Sequence, residues 1–118
     1  MTNALFVYGS LRSECDNPHV RKLRNEAKSM GRATVRGSIF RTGDFSGYKE
    51  EPAGIVQGEL WQLNEPEKTL VALDEYEGDE YPRVVVRLEQ PPVDAWIYVY
   101  AGHVAPDARI ESGDFLAP

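Results

Sequence analysis

Apolar residues fall along this chain in blocks of differing period, and the blocks predict the elements. Ala4-Leu5-Phe6-Val7-Tyr8 is a compact apolar run that stops at Gly9-Ser10. A run closed by a turn signal predicts a buried first strand. The chain then turns through Tyr8-Gly9-Ser10-Leu11. Asn17-Pro18 predicts a short helix to about Ala27, because Asn accepts from orphan amides and Pro suits the first helical position. Its basic face, with Arg21, Lys22 and Arg24, reads as solvated surface. From Gly31 to Arg41, and again from Ile55 to Leu63, β-branched and aromatic residues mix with isolated glycines, which predicts bent or bulged strands. Between them, Thr42 to Gly54 carries Gly43, Gly47, Pro52 and Gly54 and reads as a loop long enough to help line a site.

Asn64-Glu65-Pro66-Glu67 places a capping residue three positions before a Glu, with Pro in the first turn, and predicts a helix that runs to about Glu77 and stops at Gly78. Two alternating strands follow, Tyr81 to Glu89 and Asp94 to Ala101, joined by Gln90-Pro91-Pro92. On the last strand Trp96, Tyr98 and Tyr100 share one face, as core or as a dimer surface. Glu111 to Pro118 reads as a turn and a tail. This strand-rich order with two short helices predicts an α+β fold, a curled sheet or small barrel with a helix packed against it. The order does not establish closure.

A length of 118 residues gives one domain spanning 1–118. With 42% hydrophobic and 27% charged residues, the chain has the composition of an ordinary globular protein rather than a disordered one. A net charge of -6 without a Lys/Arg stripe argues against nucleic acid as a partner, and a small anion would have to be held by local donors. The longest apolar stretches, such as Ala95 to Ala101, fall well short of the roughly 20 residues a membrane helix needs, so no membrane partner is expected. The single thiol, Cys15, and the lack of a signal peptide lead to the expectation of a reducing cytoplasm. Monomer and homodimer both stay open.

Most reactive constellations are missing. His19 and His103 have no Cys or carboxylate neighbour at metal-ligand spacing, so no metal is expected. Ser10 lacks the glycines of a nucleophile elbow, Gly9-Ser10 lacks the lysine and spacing of a phosphate loop, and Cys15 reads as a bystander. Glu77 stands apart. It falls seven residues after Leu70 and four after Leu73, so it projects from the apolar face of its helix, whereas Asp74 and Glu75 differ in phase and suit solvated roles. Partial burial would raise its pKa and make it a better base near neutrality. Periodicity taken alone favours a simpler reading, in which Glu77 reaches solvent at a frayed helix end or pairs with Arg83.

Four segments in order, Phe6-Val7-Tyr8-Gly9-Ser10-Leu11-Arg12, Val56-Gln57-Gly58-Glu59-Leu60-Trp61, Leu73-Asp74-Glu75-Tyr76-Glu77-Gly78 and Tyr81-Pro82-Arg83, resemble the γ-glutamyl cyclotransferase-like superfamily, including its AIG2-like and γ-glutamylamine cyclotransferase branches. The resemblance extends to Ser112-Gly113-Asp114. It implies a small mixed β-barrel with flanking short helices, no metal and no organic cofactor, and a small-molecule γ-glutamyl substrate. By the same resemblance Tyr8, Gly9, Ser10 and Leu11 hold the substrate through backbone amides, Glu77 is the catalytic acid/base, and Tyr48 and Tyr100 are candidates to line the pocket. Arg83 is expected to pair with an acidic neighbour and hold the helix end. At Lys49 and Glu50 the chain departs from many relatives, which carry a proline and apolar residues there, so substrate preference stays open.

The implied reaction is an intramolecular acyl transfer that yields 5-oxoproline and a released amine. The rival from another class is a binding module that keeps the pocket without turnover, since fold does not guarantee activity. A second enzymatic reading is removal of a γ-glutamyl protecting group by the same chemistry.

Overall fold

The computed structural model describes residues 2–118. Nine residues, Pro18–Glu26, form α1, and Pro66–Glu77 form α2. The strands are β1 (Ala4–Val7), β2 (Ala27–Arg36), β3 (Ser38–Thr42), β4 (Phe45–Lys49), β5 (Ile55–Leu63), β6 (Arg83–Arg87) and β7 (Asp94–Tyr98). Five of them make one mixed sheet in the order β2-β5-β1-β7-β6, with β1 parallel to β7 and the other pairs antiparallel. β3 and β4 form a separate hairpin. The fold is α+β. Among the described residues no helix is long and apolar enough to cross a membrane.

Local chemistry accounts for most of the boundaries. The Asn17 side chain accepts from the amides of His19 and Val20, both at 3.0 Å, and so caps α1 as its sequence predicts. α2 starts differently: its cap is Glu65 with no side-chain bond, so the expected pairing of Asn64 with Glu67 does not form. Gly78, at φ 83°, ends α2 in a backbone conformation that favours glycine. The segment expected as a loop, Thr42 to Gly54, instead contains β4. Gly47 and Ser46 hide its alternation, and Gly47 is there because Tyr100 lies over the position a side chain would occupy.

β1 is buried on both faces. Leu5 and Val7 point toward Leu23, Leu70 and Leu73 of the helices, while Phe6 and Tyr8 point toward Ile39 and Tyr48 of the hairpin. The expected closed barrel is not present. The sheet curls until Thr34 of β2 exchanges backbone bonds with Gln90, just past β6. That contact goes no further because Pro91 and Pro92 follow, and neither supplies an N–H to a ladder. The hairpin lies against the gap, with Tyr48 bridging to Val99 and Phe40 to Arg109.

Close approach of β1 to β5 depends on Gly58. A Cβ there would stand 2.3 Å from the Val7 carbonyl oxygen and 2.5 Å from the Phe6 ring. Gly58→Ala is therefore expected to lower stability by about 3 kcal/mol, the upper end of overpacking costs. Urea denaturation should show an earlier midpoint with an unchanged slope. An unchanged midpoint would mean that the two strands can part without loss.

Candidate functional site

The first turn after β1 is fixed by its carbonyls. Gly9 O accepts from Arg12 N at 3.1 Å, Ser10 O from the Asn17 side-chain amide at 2.8 Å, and Leu11 O from the Trp61 indole at 3.2 Å. A trans peptide is planar, with its C=O opposed to the following N–H. Binding the Gly9 and Ser10 carbonyls to the framework therefore turns the N–H groups of Ser10 and Leu11 the other way. Among the described residues, the amides of Gly9, Ser10 and Leu11 have no acceptor within the chain. Successive free amides make a concavity suited to an anion.

These residues form one wall of a cavity of about 150 Å³. Its lining comprises residues 6–11 together with Phe45, Ser46, Tyr76, Glu77, Tyr81, Tyr98 and Phe115. The loop from Tyr8 to Leu11 and the helix end at Glu77, almost 70 positions apart in sequence, thus share one small space. Glu77 is half-buried and follows Leu70 and Leu73, both buried, on the inner face of α2. Burial is the cause that pushes its carboxyl up from the ordinary glutamate value to about 7. Arg83 does not offset this, because it pairs with Asp74 through Nε at 2.8 Å and Nη2 at 2.9 Å. Arg83 thus meets an acidic neighbour at the helix end. Asp74, expected to be merely solvated, also accepts from the Tyr98 hydroxyl at 2.7 Å.

Tyrosines build much of the wall. Tyr8 donates to the Tyr98 carbonyl at 2.7 Å and accepts from the Tyr48 amide at 3.1 Å, which ties β1, β4 and β7 together beneath the cavity. Tyr81 bonds the Thr42 hydroxyl at 2.8 Å and donates to the Ser46 carbonyl at 3.2 Å. Burial drives the pKa of Tyr8, Tyr81 and Tyr98 upward, so all three stay protonated. Phe45 (53% exposed) and Tyr76 (38% exposed) mark the open side.

Neither Tyr48 nor Tyr100 is in the lining, contrary to the expectation from resemblance. Tyr48 is a core residue whose hydroxyl donates to the Arg36 carbonyl. Tyr100 leaves the ladder after β7, covers Gly47 and bonds Glu80. The sequence reading missed Phe45, Ser46, Tyr76, Tyr81, Tyr98 and Phe115 as lining residues. Tyr76, Tyr81 and the neighbourhood of Phe115 lie in or beside the quoted motifs, the one signal that could have found them.

A family model described as gamma-glutamyl cyclotransferase, AIG2-like, matches residues 5–117. The gamma-glutamylcyclotransferase family protein YtfP of Escherichia coli (strain K12) is 33% identical over 115 residues, covering 95% of each chain. The solution structure of ytfP from Escherichia coli has a TM-score of 0.69 at 30% identity, covering 97% of this chain and 96% of that one. An AIG2-like protein from Mus musculus has the same fold, with a TM-score of 0.71 at 23% identity over 90% of this chain and 81% of that one. Matched along nearly its whole length, the chain belongs to the γ-glutamyl cyclotransferase, AIG2-like family.

Proposed function

We propose that the protein cyclises a γ-glutamyl group to 5-oxoproline and releases an amine, with Glu77 as general base and acid. Family membership supports a cyclotransferase-like role. The observation that carries the finer reading is the half-buried Glu77, with its raised pKa, sharing one cavity with the unpartnered amides of the Tyr8 to Leu11 turn.

In this reading the amides of Ser10 and Leu11 hold the substrate α-carboxylate, a role that suits a protein of net charge -6 with no cation in the cavity lining. Glu77 removes a proton from the α-ammonium. The freed amine attacks the γ-carbonyl carbon, and collapse of the adduct breaks the γ-amide C–N bond. Two protons leave the attacking nitrogen and two arrive on the departing one, so one carboxylate that cycles between its forms suffices. Water and redox chemistry take no part. Ring closure within one bound molecule gains rate from proximity, and a pKa near 7 matches base to working pH.

Glu77→Gln keeps shape and removes the proton acceptor. The variant should fold and bind a γ-glutamyl compound, with 5-oxoproline formation, read by mass spectrometry, slowed by roughly 100-fold or more. A variant that cyclises at the wild-type rate would end the assignment. A wild-type protein that binds such compounds and converts none would point to the binding module instead.

The pH dependence has two opposite signs. Activity should rise as pH passes through about 7, because the working base is the carboxylate form. Stability should fall over the same range. The folded state holds the Glu77 proton more tightly than the unfolded chain, so the contribution of this group is full below the ordinary glutamate range and lost as pH rises through about 7. Glu77→Gln should accordingly melt above wild type at pH 8 and lose that advantage near pH 4. A variant less stable than wild type at pH 8 would mark Glu77 as a structural residue.

A side chain at Gly9 would enter the cavity, since its Cβ would stand 3.3 Å from Ser46 Oγ and 3.9 Å from the Phe115 ring. Gly9→Val should therefore raise KM or abolish binding while the protein stays folded. Unchanged affinity in the folded variant would move the substrate away from this turn.

A further inference from the structure

Arg83 is the basic residue nearest to Glu77 in sequence, and its guanidinium is paired elsewhere. It forms the two-pronged pair with Asp74 and lies over the Trp96 ring, 4.1 Å from its centroid. Asp74 precedes Glu77 by three residues on α2, so the two carboxylates stand on adjacent turns of one helix. They have opposite surroundings. Asp74 receives the guanidinium and the Tyr98 hydroxyl, and these hold its carboxyl below the ordinary range. Glu77 shares its cavity with tyrosines: Tyr8 from the end of β1, Tyr98 from β7, Tyr81 from the segment before β6, and Tyr76 from its own helix. The lining contains no Lys, Arg or His. His19 stacks on Tyr76 at 3.7 Å but lines the groove between the two helices rather than this cavity. Asp79 and Glu80, just past the helix, are exposed.

We propose that Asp74 is a positioning residue that withholds Arg83 from Glu77: the pair holds this arginine on one turn of α2 and leaves the carboxylate of the next turn without a counter-ion. Its bond to the Tyr98 hydroxyl extends the same device into the cavity wall. The Arg83 side chain is only 20% exposed and lies over the Trp96 ring, so its guanidinium does not stay unpaired at low cost, and with Asp74 removed Glu77 stands one turn further along α2 as the carboxylate for it to turn to. A cation there would lower the proton affinity of Glu77 by about 1–3 pKa units and make it a weak base at neutral pH. The functional meaning rests on Glu77 being the base, while the electrostatic arrangement stands without that reading.

The test is a carbon-13 NMR titration of the full chain labelled at the glutamate carboxyl carbon, with the Glu77 signal assigned by its loss in Glu77→Gln. The wild-type midpoint should lie near 7. Asp74→Ala should move it down by about one unit or more, and Asp74→Glu, which can still pair with Arg83, should keep it within about half a unit of wild type. Loss of the Asp74 negative charge alone would also lower the midpoint, and the double variant Asp74→Ala/Arg83→Ala separates the two causes. It should return toward the wild-type value if Arg83 is responsible. A double variant as low as Asp74→Ala, or an Asp74→Ala midpoint equal to wild type, overturns the proposal. Should Asp74→Ala fail to fold, Asp74→Asn keeps the acceptor for Tyr98, removes the charge and is read in the same way. A wild-type protein that makes no 5-oxoproline would sink the proposed activity and leave this titration decisive for Asp74.

Discussion

A guanidinium removed from water must be paired, and Arg12 meets that requirement at the point where the Tyr8 to Leu11 turn ends. It is 1% exposed, donates to Asp114 at 2.7 Å, and bonds Glu14 through two nitrogens at 3.1 Å. Both carboxylates hold it in its charged form. Such a pair adds little net stability compared with apolar residues of the same shape, yet removing one partner strands a buried charge at about 3–5 kcal/mol. The turn therefore has one low-energy register. Asp114 also accepts from the Leu116 amide, and Gly113 O accepts from Gln57 N, so the same anchor fixes the last segment of the chain against β5. Phe115, between those contacts, is held on the cavity wall as a result.

Around this anchor the polar groups sort by whether they are satisfied. Glu59, buried in β5, accepts from Ser13 N and from Ser29 Oγ, one bond on each carboxylate oxygen. Asp74 is likewise fully occupied by Arg83 and Tyr98. Glu77 is the carboxylate for which folding supplies desolvation without compensation. Poor local satisfaction of this kind is a cost that the rest of the fold offsets, and it concentrates where chemistry is to be done.

Local signals made much of this legible. Asn17-Pro18, Gly78 and the run from Ala4 to Tyr8 each carry their own physical instruction, and the elements they announce are present. The phase of Leu70, Leu73 and Glu77 offered an inward carboxylate as one of two readings, and only the packed structure places Glu77 in the cavity lining. Other features were hidden because they depend on partners remote in sequence. β4 was concealed by Gly47, a residue explained only by Tyr100 lying across it. Asp74 appeared idle because helical phase says nothing about an arginine arriving from the next strand. An expected barrel became an open curled sheet because two prolines after β6 interrupt the seam. Tyr48 and Tyr100 stand near the site in sequence pattern but face the core and the hairpin exterior instead.

The cavity has a floor and a rim of different origin. Its floor is Phe6, Val7 and Tyr8, residues that also belong to the hydrophobic core, so changing them disturbs the folding of the core and the shape of the cavity together. Its rim comes from a hairpin tip at Phe45, a helix end at Tyr76 and the final segment at Phe115, each at least partly exposed. Substitution at the rim changes what shape and polarity the entrance accepts without touching the hydrogen bonds beneath. The scaffold thus separates two kinds of variation: a change on the floor is felt throughout the core, while the mouth can be altered residue by residue.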